Sequence, residues 1–163
     1  MKDRIELAKL FKELGFKVGA EIGVFQGSYS RALCRYNPDL LLYSIDAWIG
    51  QKHEKMHERA INKLKGYNAI LIKEESSVAV KRFEDNSLDF VYIDADHRYP
   101  AVLKDLTLWT PKVRSGGIVS GHDYQAPDVR RAVDEFAKVM TTDCDTVNPR
   151  NGITERSWYF INE

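Results

Sequence analysis

The sequence predicts a doubly wound α/β fold, a mainly parallel sheet with helices on both faces and a closing antiparallel strand pair at the C-terminus. Three observations predict it. Short apolar runs alternate with amphipathic segments of helical period, the mark of a strand–helix–strand repeat. Several of those runs are almost unbroken, as in Leu40-Leu41-Leu42-Tyr43-Ser44-Ile45, which suits strands covered on both faces. Glycines and polar residues crowd where the runs end, and ligands of such sheets bind beyond the carboxyl ends of the strands.

In chain order, Ile5, Leu7, Ala8, Leu10, Phe11 and Leu14 recur at helical spacing, and Gly15 stops them. Residues 17–24 read as the first strand, ending in glycines, and 28–35 as a helix closed by Asn37-Pro38. The second strand is 40–45, followed by a polar amphipathic helix over 51–65. The third strand is 69–72, with a short helix at 78–83; the fourth is 88–93, with a crossover helix at 100–109. The fifth strand is 117–120, and 127–140 is a helix with proline at its first turn. Residues 146–148 and 158–161 read as closing strands around the Asn151-Gly152 turn. Trp109 and Trp158 read as core.

The 163 residues suit a single domain spanning 1–163, long enough to bury a real core. The formal net charge is zero, so nothing favours nucleic acid or an anionic membrane, and a small-molecule substrate is the expected partner. A homodimer stays open. Met1 to Leu10 has no signal-peptide core, and no apolar run approaches the roughly 20 residues that span a bilayer. The two cysteines, Cys34 and Cys144, are too few for a disulfide framework and lack metal spacing; Cys34 reads as packing. A reduced cytoplasmic protein is the expectation.

The first strand exits through Glu21-Ile22-Gly23-Val24-Phe25-Gln26-Gly27-Ser28. Taken alone this is a tight strand-to-helix turn in which glycine lets the backbone approach a ligand. The dinucleotide pattern Gly-x-Gly-x-x-Gly is absent. Asp46 ends the second strand, about 20 residues on, where an acid accepts ribose hydroxyls. Ala47 and Trp48 follow it, and Trp48 is placed to line the pocket. After the third strand comes Lys73-Glu74-Glu75-Ser76-Ser77, where Ser76 or Ser77 caps the helix. After the fourth come Asp94-Ala95-Asp96-His97-Arg98-Tyr99, and after the fifth Gly121-His122-Asp123-Tyr124. Adjacent strands lie about 5 Å apart, so Asp94, His122 and Asp123 can converge, an oxygen and imidazole set suited to a divalent cation.

Together these turns resemble class I S-adenosylmethionine (SAM)-dependent methyltransferases, whose Rossmann-like sheet carries a comparable glycine motif with an upstream acid. Asp-Ala-Asp-His-x-Tyr followed by Gly-Gly-x-x-x-x-His-Asp-Tyr looks like the small metal-dependent O-methyltransferases related to macrocin and mycinamicin sugar methyltransferases. The resemblance is strongest over residues 16–124. It implies SAM binding by Glu21, Gly23, Gly27, Ser28, Asp46, Ala47, Trp48, Glu75, Ser76 and Asp94, with Glu21 a negative charge near the cationic end. It implies a divalent metal, usually magnesium, on Asp94 and Asp123. His122 stands where an acid or amide is commoner in that group and is taken as a third ligand. His97 matches the general base, with capping of the next helix as its rival role. Asp96 is left between positioning SAM and orienting the base.

His53-Glu54-Lys55-Met56-His57 matches the His-Glu-x-x-His pattern of zinc proteases. Ala60 and Lys63 break its longer form, so a solvated helix face or a lid over the acceptor is the better reading. Residues 128–134 read as a solvated helix face. Methyl transfer to a hydroxyl of a sugar or phenol is the expected activity. The rivals are metal-independent transfer to another acceptor and a SAM-binding domain without turnover.

Overall fold

A computed structural model of the chain describes residues 2–140, 142–147 and 156–163. The elements are α1 (Lys2–Glu13), β1 (Val18–Ile22), α2 (Ser28–Tyr36), β2 (Leu41–Asp46), α3 (Gln51–Leu64), β3 (Ala69–Lys73), α4 (Ser76–Ala79), β4 (Leu88–Ile93), α5 (Tyr99–Trp109), β5 (Val113–Gly121), α6 (Pro127–Val139), β6 (Asp145–Val147) and β7 (Ser157–Ile161). Seven strands form one sheet in the order β3-β2-β1-β4-β5-β7-β6. Strands β1 to β5 pair in parallel, and β7 runs antiparallel to both β5 and β6. The doubly wound α/β expectation therefore holds.

The apolar runs are continuous because both faces of the sheet are covered. Along β4, Phe90 and Tyr92 enter one core layer with Leu7, Phe11 and Leu33. Val91 and Ile93 enter the other, with Leu106, Trp109, Val133 and Trp158. Phe90 is fully buried and stacks on Phe11 with ring centroids 4.1 Å apart. Truncating such an aromatic to alanine costs on the order of 3–5 kcal/mol. Cys34 is buried in this packing, as expected, and burial pushes its thiol up to about 12.

Two elements differ from expectation. The fifth strand runs from Val113 to Gly121, not only over 117–120, because its polar first half pairs through a register shift between Leu88 and Phe90. The short helix starts at Ser76 rather than 78 and tightens into a 3-10 turn, Val80–Arg82. The Asn151-Gly152 turn and Asn148 lie outside the described residues. No helix among the described residues is long and apolar enough to cross a membrane.

Candidate active site

Register aligns the strand ends. Ile22 pairs with Ile45 and Ile93, and Ile93 with Gly121, so the residues that follow form one row: Gly23, Asp46, Asp94 and His122. Backbone bonds extend the ladder by one residue, from Gly23 N to Ile45 O (2.9 Å) and from Asp94 N to Ile22 O (2.7 Å). Above this row opens a cavity of about 930 Å³, lined among others by Gly23, Asp46, Trp48, Glu75, Asp94 and His97. Phe25, Trp48 and Asp123 take positive φ at the ends of β1, β2 and β5 (52°, 43° and 57°). Such backbone conformations cost free energy and concentrate where a fold holds a functional surface. A second cavity, of about 600 Å³, lies against β2 and β3; it holds no histidine or aspartate.

Asp46 organises one end. Its Oδ2 accepts from Phe25 N at 2.8 Å and its Oδ1 from Trp48 N at 3.0 Å, tying the turns after β1 and β2 together. The Trp48 indole N–H donates to the Phe25 carbonyl at 2.7 Å, and the ring packs with Val24 and Ala60. Ala47 lines the cavity beside it. Gly23 has φ 91°, and a Cβ there would stand 2.2 Å from the Asp94 carbonyl oxygen. Its need for glycine is thus set first by the β4 backbone.

The later half of the glycine turn departs from expectation. Gly27 and Ser28 do not line the cavity. Gly27 faces α3, where a Cβ would meet Ala60 Cα at 3.1 Å, and Ser28 Oγ accepts from Lys63 Nζ at 2.8 Å. Glu21 lies beneath the turn, 2% exposed, accepting from the Ser30 hydroxyl. Burial is the main influence raising its pKa, to about 8, against the Ser30 hydrogen bond, which favours the charged form.

Beyond β3, Glu75 is the N-cap residue of α4 by backbone conformation, and no side chain caps the helix. The expected serine cap is not made. Ser76 instead donates to Asp105 Oδ1 on α5, because the buried carboxylate is the stronger acceptor. Asp105 lines the cavity and was not singled out in the sequence.

At the other end, ligand atoms of Asp94, His97 and Asp123 all lie within 4.8 Å of one another. His97 Nε2 is 3.4 Å from Asp94 Oδ1 and 3.2 Å from Asp123 Oδ2. The hydrogen bond to Asp94 and the two negative charges raise the His97 pKa. His122 is not in this group. It is buried below it, with Nδ1 2.7 Å from Arg4 Nη2 and 3.2 Å from Asp123 Oδ2. Consecutive residues leaving a strand point to opposite faces. Asp123, turned by its positive φ, reaches the cluster while His122 goes under it. The contact with His122 is the main influence holding Asp123 low, to about 2.

Arg4 completes the cluster, with Nη1 2.9 Å from Asp94 Oδ2. The sequence carried one signal for it: Arg4, Leu7, Ala8 and Phe11 share a helix face, and the last three are core. His97 does not cap α5. The first amides there are met by Asp96 Oδ1, which accepts from Arg98 N at 3.0 Å, and Asp128 Oδ2, which accepts from Tyr99 N at 3.2 Å. Asp96 also holds the Arg98 guanidinium.

The His-Glu-x-x-His match on α3 gathers no further ligand. His57 stacks on Trp48 at 4.3 Å, Glu54 pairs with Lys73, and His53 Nδ1 lies 2.9 Å from Ile49 O. Asp94, His97 and Asp123 form the only ligand group of three found among the described residues. His53 does line the cavity mouth.

A glycine turn on β1, an acid at the tip of β2 and carboxylates across β4 and β5 define an α/β domain with its ligand site at the switch point of the sheet. The methyltransferase-domain family matches residues 20–124, and the chain belongs to it. Protein R132 of Acanthamoeba polyphaga mimivirus is 28% identical over 126 residues, covering 71% of this chain and 57% of that protein. The chain thus spans little more than half of that relative. Among solved structures, the O-methyltransferase TomG from Streptomyces achromogenes, in complex with SAM, superposes with TM-score 0.74 at 16% identity, covering 98% of this chain and 79% of TomG. An O-methyltransferase from Bacillus cereus in complex with SAH gives TM-score 0.74 at 14% identity, covering 98% and 80%. These likenesses confirm the fold.

Proposed function

We propose that the protein transfers a methyl group from SAM to a hydroxyl of a small-molecule acceptor. The observation that carries this reading is the cluster of Asp94, His97 and Asp123, of which Asp94 and His97 line the same cavity as Asp46. SAM suits the strand-tip row, where the Asp46 carboxylate can accept ribose hydroxyls and the open Gly23 turn gives backbone approach. The cofactors bound by TomG and the Bacillus cereus enzyme support it.

SAM, when bound, supplies an electrophilic methyl on a sulfonium. Held by Asp46 and the Gly23 turn, that methyl would be open to in-line displacement by the acceptor oxygen, the electrons of the broken carbon–sulfur bond leaving on sulfur. Most of the acceleration comes from holding oxygen and methyl in line. His97 Nε2 takes the acceptor proton, and Asp94 and Asp123 stabilise the imidazolium formed, worth about 10²- to 10⁴-fold. The donor set also fits a divalent cation such as magnesium on Asp94 and Asp123, with His97 beside them; such an ion would lower the acceptor's pKa and orient it. His122 is set aside as a ligand in this reading because Arg4 holds its Nδ1.

A second reading has one observation in its favour. Arg4 already places a positive charge 2.9 Å from Asp94, so the site has a resident cation without a metal. The decisive experiment measures S-adenosylhomocysteine production over a panel of sugars and phenols, with chelator and after metal is restored. Loss and recovery support the metal-assisted form; unchanged turnover supports Arg4. Failure to bind SAM by titration calorimetry removes both.

A further inference from the structure

The helices that follow β1 and β2 carry cations without counter-charges. Arg31 and Arg35 stand four residues apart on α2, and Arg59 and Lys63 four apart on α3, so each pair shares a helix face. Like charges at that spacing destabilise a helix. Elsewhere the chain uses the same spacing for opposite charges: on α6, Arg130 meets Asp134 and Arg131 meets Glu135. Among the described residues no carboxylate comes within ion-pair distance of Arg31, Arg35, Arg59 or Lys63. Lys63 Nζ turns instead to the Ser28 hydroxyl, at 2.8 Å, and Arg59 Nη1 to the Met56 sulfur, at 3.9 Å. Partial burial, and then the like charges of Arg31 and Arg59, push the Lys63 ammonium below its ordinary value. Three cations from two helices are therefore close enough to repel.

Beside them lies a cleft of about 310 Å³ between α1 and α2, lined by Ile5, Ser28, Arg31, Ala32, Arg35 and Tyr36. None of these residues lines the cavity at the strand tips. The cleft joins two guanidinium groups and a hydroxyl to an apolar wall. Lys63 donates to Ser28 Oγ, which leaves the serine's own O–H free to donate to a ligand.

We propose that this cleft binds the phosphate monoester of a small molecule, its anionic head taken by Arg31, Arg35 and Ser28, with Lys63 behind the serine, and its organic part laid on Ile5 and Tyr36. The chemistry of the lining selects that class. A guanidinium fork matches phosphate oxygens two at a time, and arginine supplies both charges inside the cleft. A phosphate monoester carries nearly two negative charges at neutral pH, enough to offset cations that nothing in the described chain neutralises. The volume is that of a small-molecule site.

The test uses the protein without SAM, so its outcome is separate from that of the methyl-transfer reading. Binding of phenyl phosphate and of inorganic phosphate is measured by calorimetry at constant ionic strength. Phenyl phosphate should bind about tenfold more tightly than the inorganic ion, because its ring buries against Ile5 and Tyr36. Replacing both cleft arginines, Arg31→Gln with Arg35→Gln, should weaken phenyl phosphate by about tenfold or more. The control Lys81→Gln with Lys138→Gln removes the same charge from exposed positions outside the cleft and should leave the affinity unchanged. An equal loss in the two double variants would mark general attraction between charges and overturn the proposal. Equal affinity of wild type for the two phosphates, or no binding of phenyl phosphate, overturns it as well.

Discussion

Arg4 reaches from the first helix to Asp94 at the tip of β4, with Nη1 2.9 Å from Oδ2, across 90 residues of chain. Its other terminal nitrogen lies 2.7 Å from His122 Nδ1. A guanidinium only donates, whereas the Asp123 carboxylate, 3.2 Å from the same Nδ1, only accepts, so the tautomer of His122 sets which of the two it meets. The contact therefore ties the N-terminal helix to both strand tips that frame the acceptor end.

Arg4→Gln should strengthen divalent-cation binding, because it removes a positive charge from the coordination space of Asp94. A gain of about tenfold in Mn²⁺ affinity, read by calorimetry without SAM, is the expected result, equivalent to about 1.4 kcal/mol. Unchanged affinity would show that Arg4 and the ion do not share Asp94.

His97→Ala should lower turnover by about 10²-fold or more while leaving SAM affinity and melting temperature close to wild type. The stability half follows from the structure, since Asp96 and Asp128 meet the first amides of α5. Normal turnover in this variant would remove the base assignment.

Gly23→Ala should fail as a cofactor probe. Its Cβ would enter the Asp94 carbonyl at 2.2 Å, and φ is 91°, so destabilisation by about 3 kcal/mol or more should precede any ligand effect. Asp46→Ala is the informative variant. It should weaken SAM by about 1–3 kcal/mol through lost charged hydrogen bonds, in a chain that still melts cooperatively. Undiminished affinity would displace the ribose role.

Glu21 makes stability depend on pH. The folded protein keeps its proton up to about pH 8, whereas an unfolded chain releases it near the ordinary 4.5. Between those values unfolding releases a proton, so rising pH favours unfolding through this group. Glu21→Gln, which keeps a partner for Ser30, should gain on wild type from pH 5 to 8 and no further above it. Parallel denaturation curves at both ends of that window would show that the carboxyl is ionised when folded.

Local pattern determined most of the fold. The 88–93 strand was legible because Phe90, Val91, Tyr92 and Ile93 form an unbroken apolar run after Asp89, and only a strand covered on both faces needs that. Asp46, Asp94, Asp123 and His97 were legible as strand-exit residues because parallel pairing brings successive strand ends to one edge whatever the packing details. Tertiary structure alone decided the rest. It put His97 rather than His122 between the carboxylates, since side-chain direction at a strand exit turns on one backbone angle, the positive φ of Asp123. It buried Glu21, which raises its pKa, and turned Ser76 from a helix cap to Asp105. It also recruited Arg4 and Asp105, each a charge on the buried stripe of a helix, spaced three, four and seven residues or three and four residues from core side chains. Helical periodicity can flag such a charge as out of place. Its partner, 90 residues from Arg4 and 29 from Asp105, comes only from the docking of helices on the sheet.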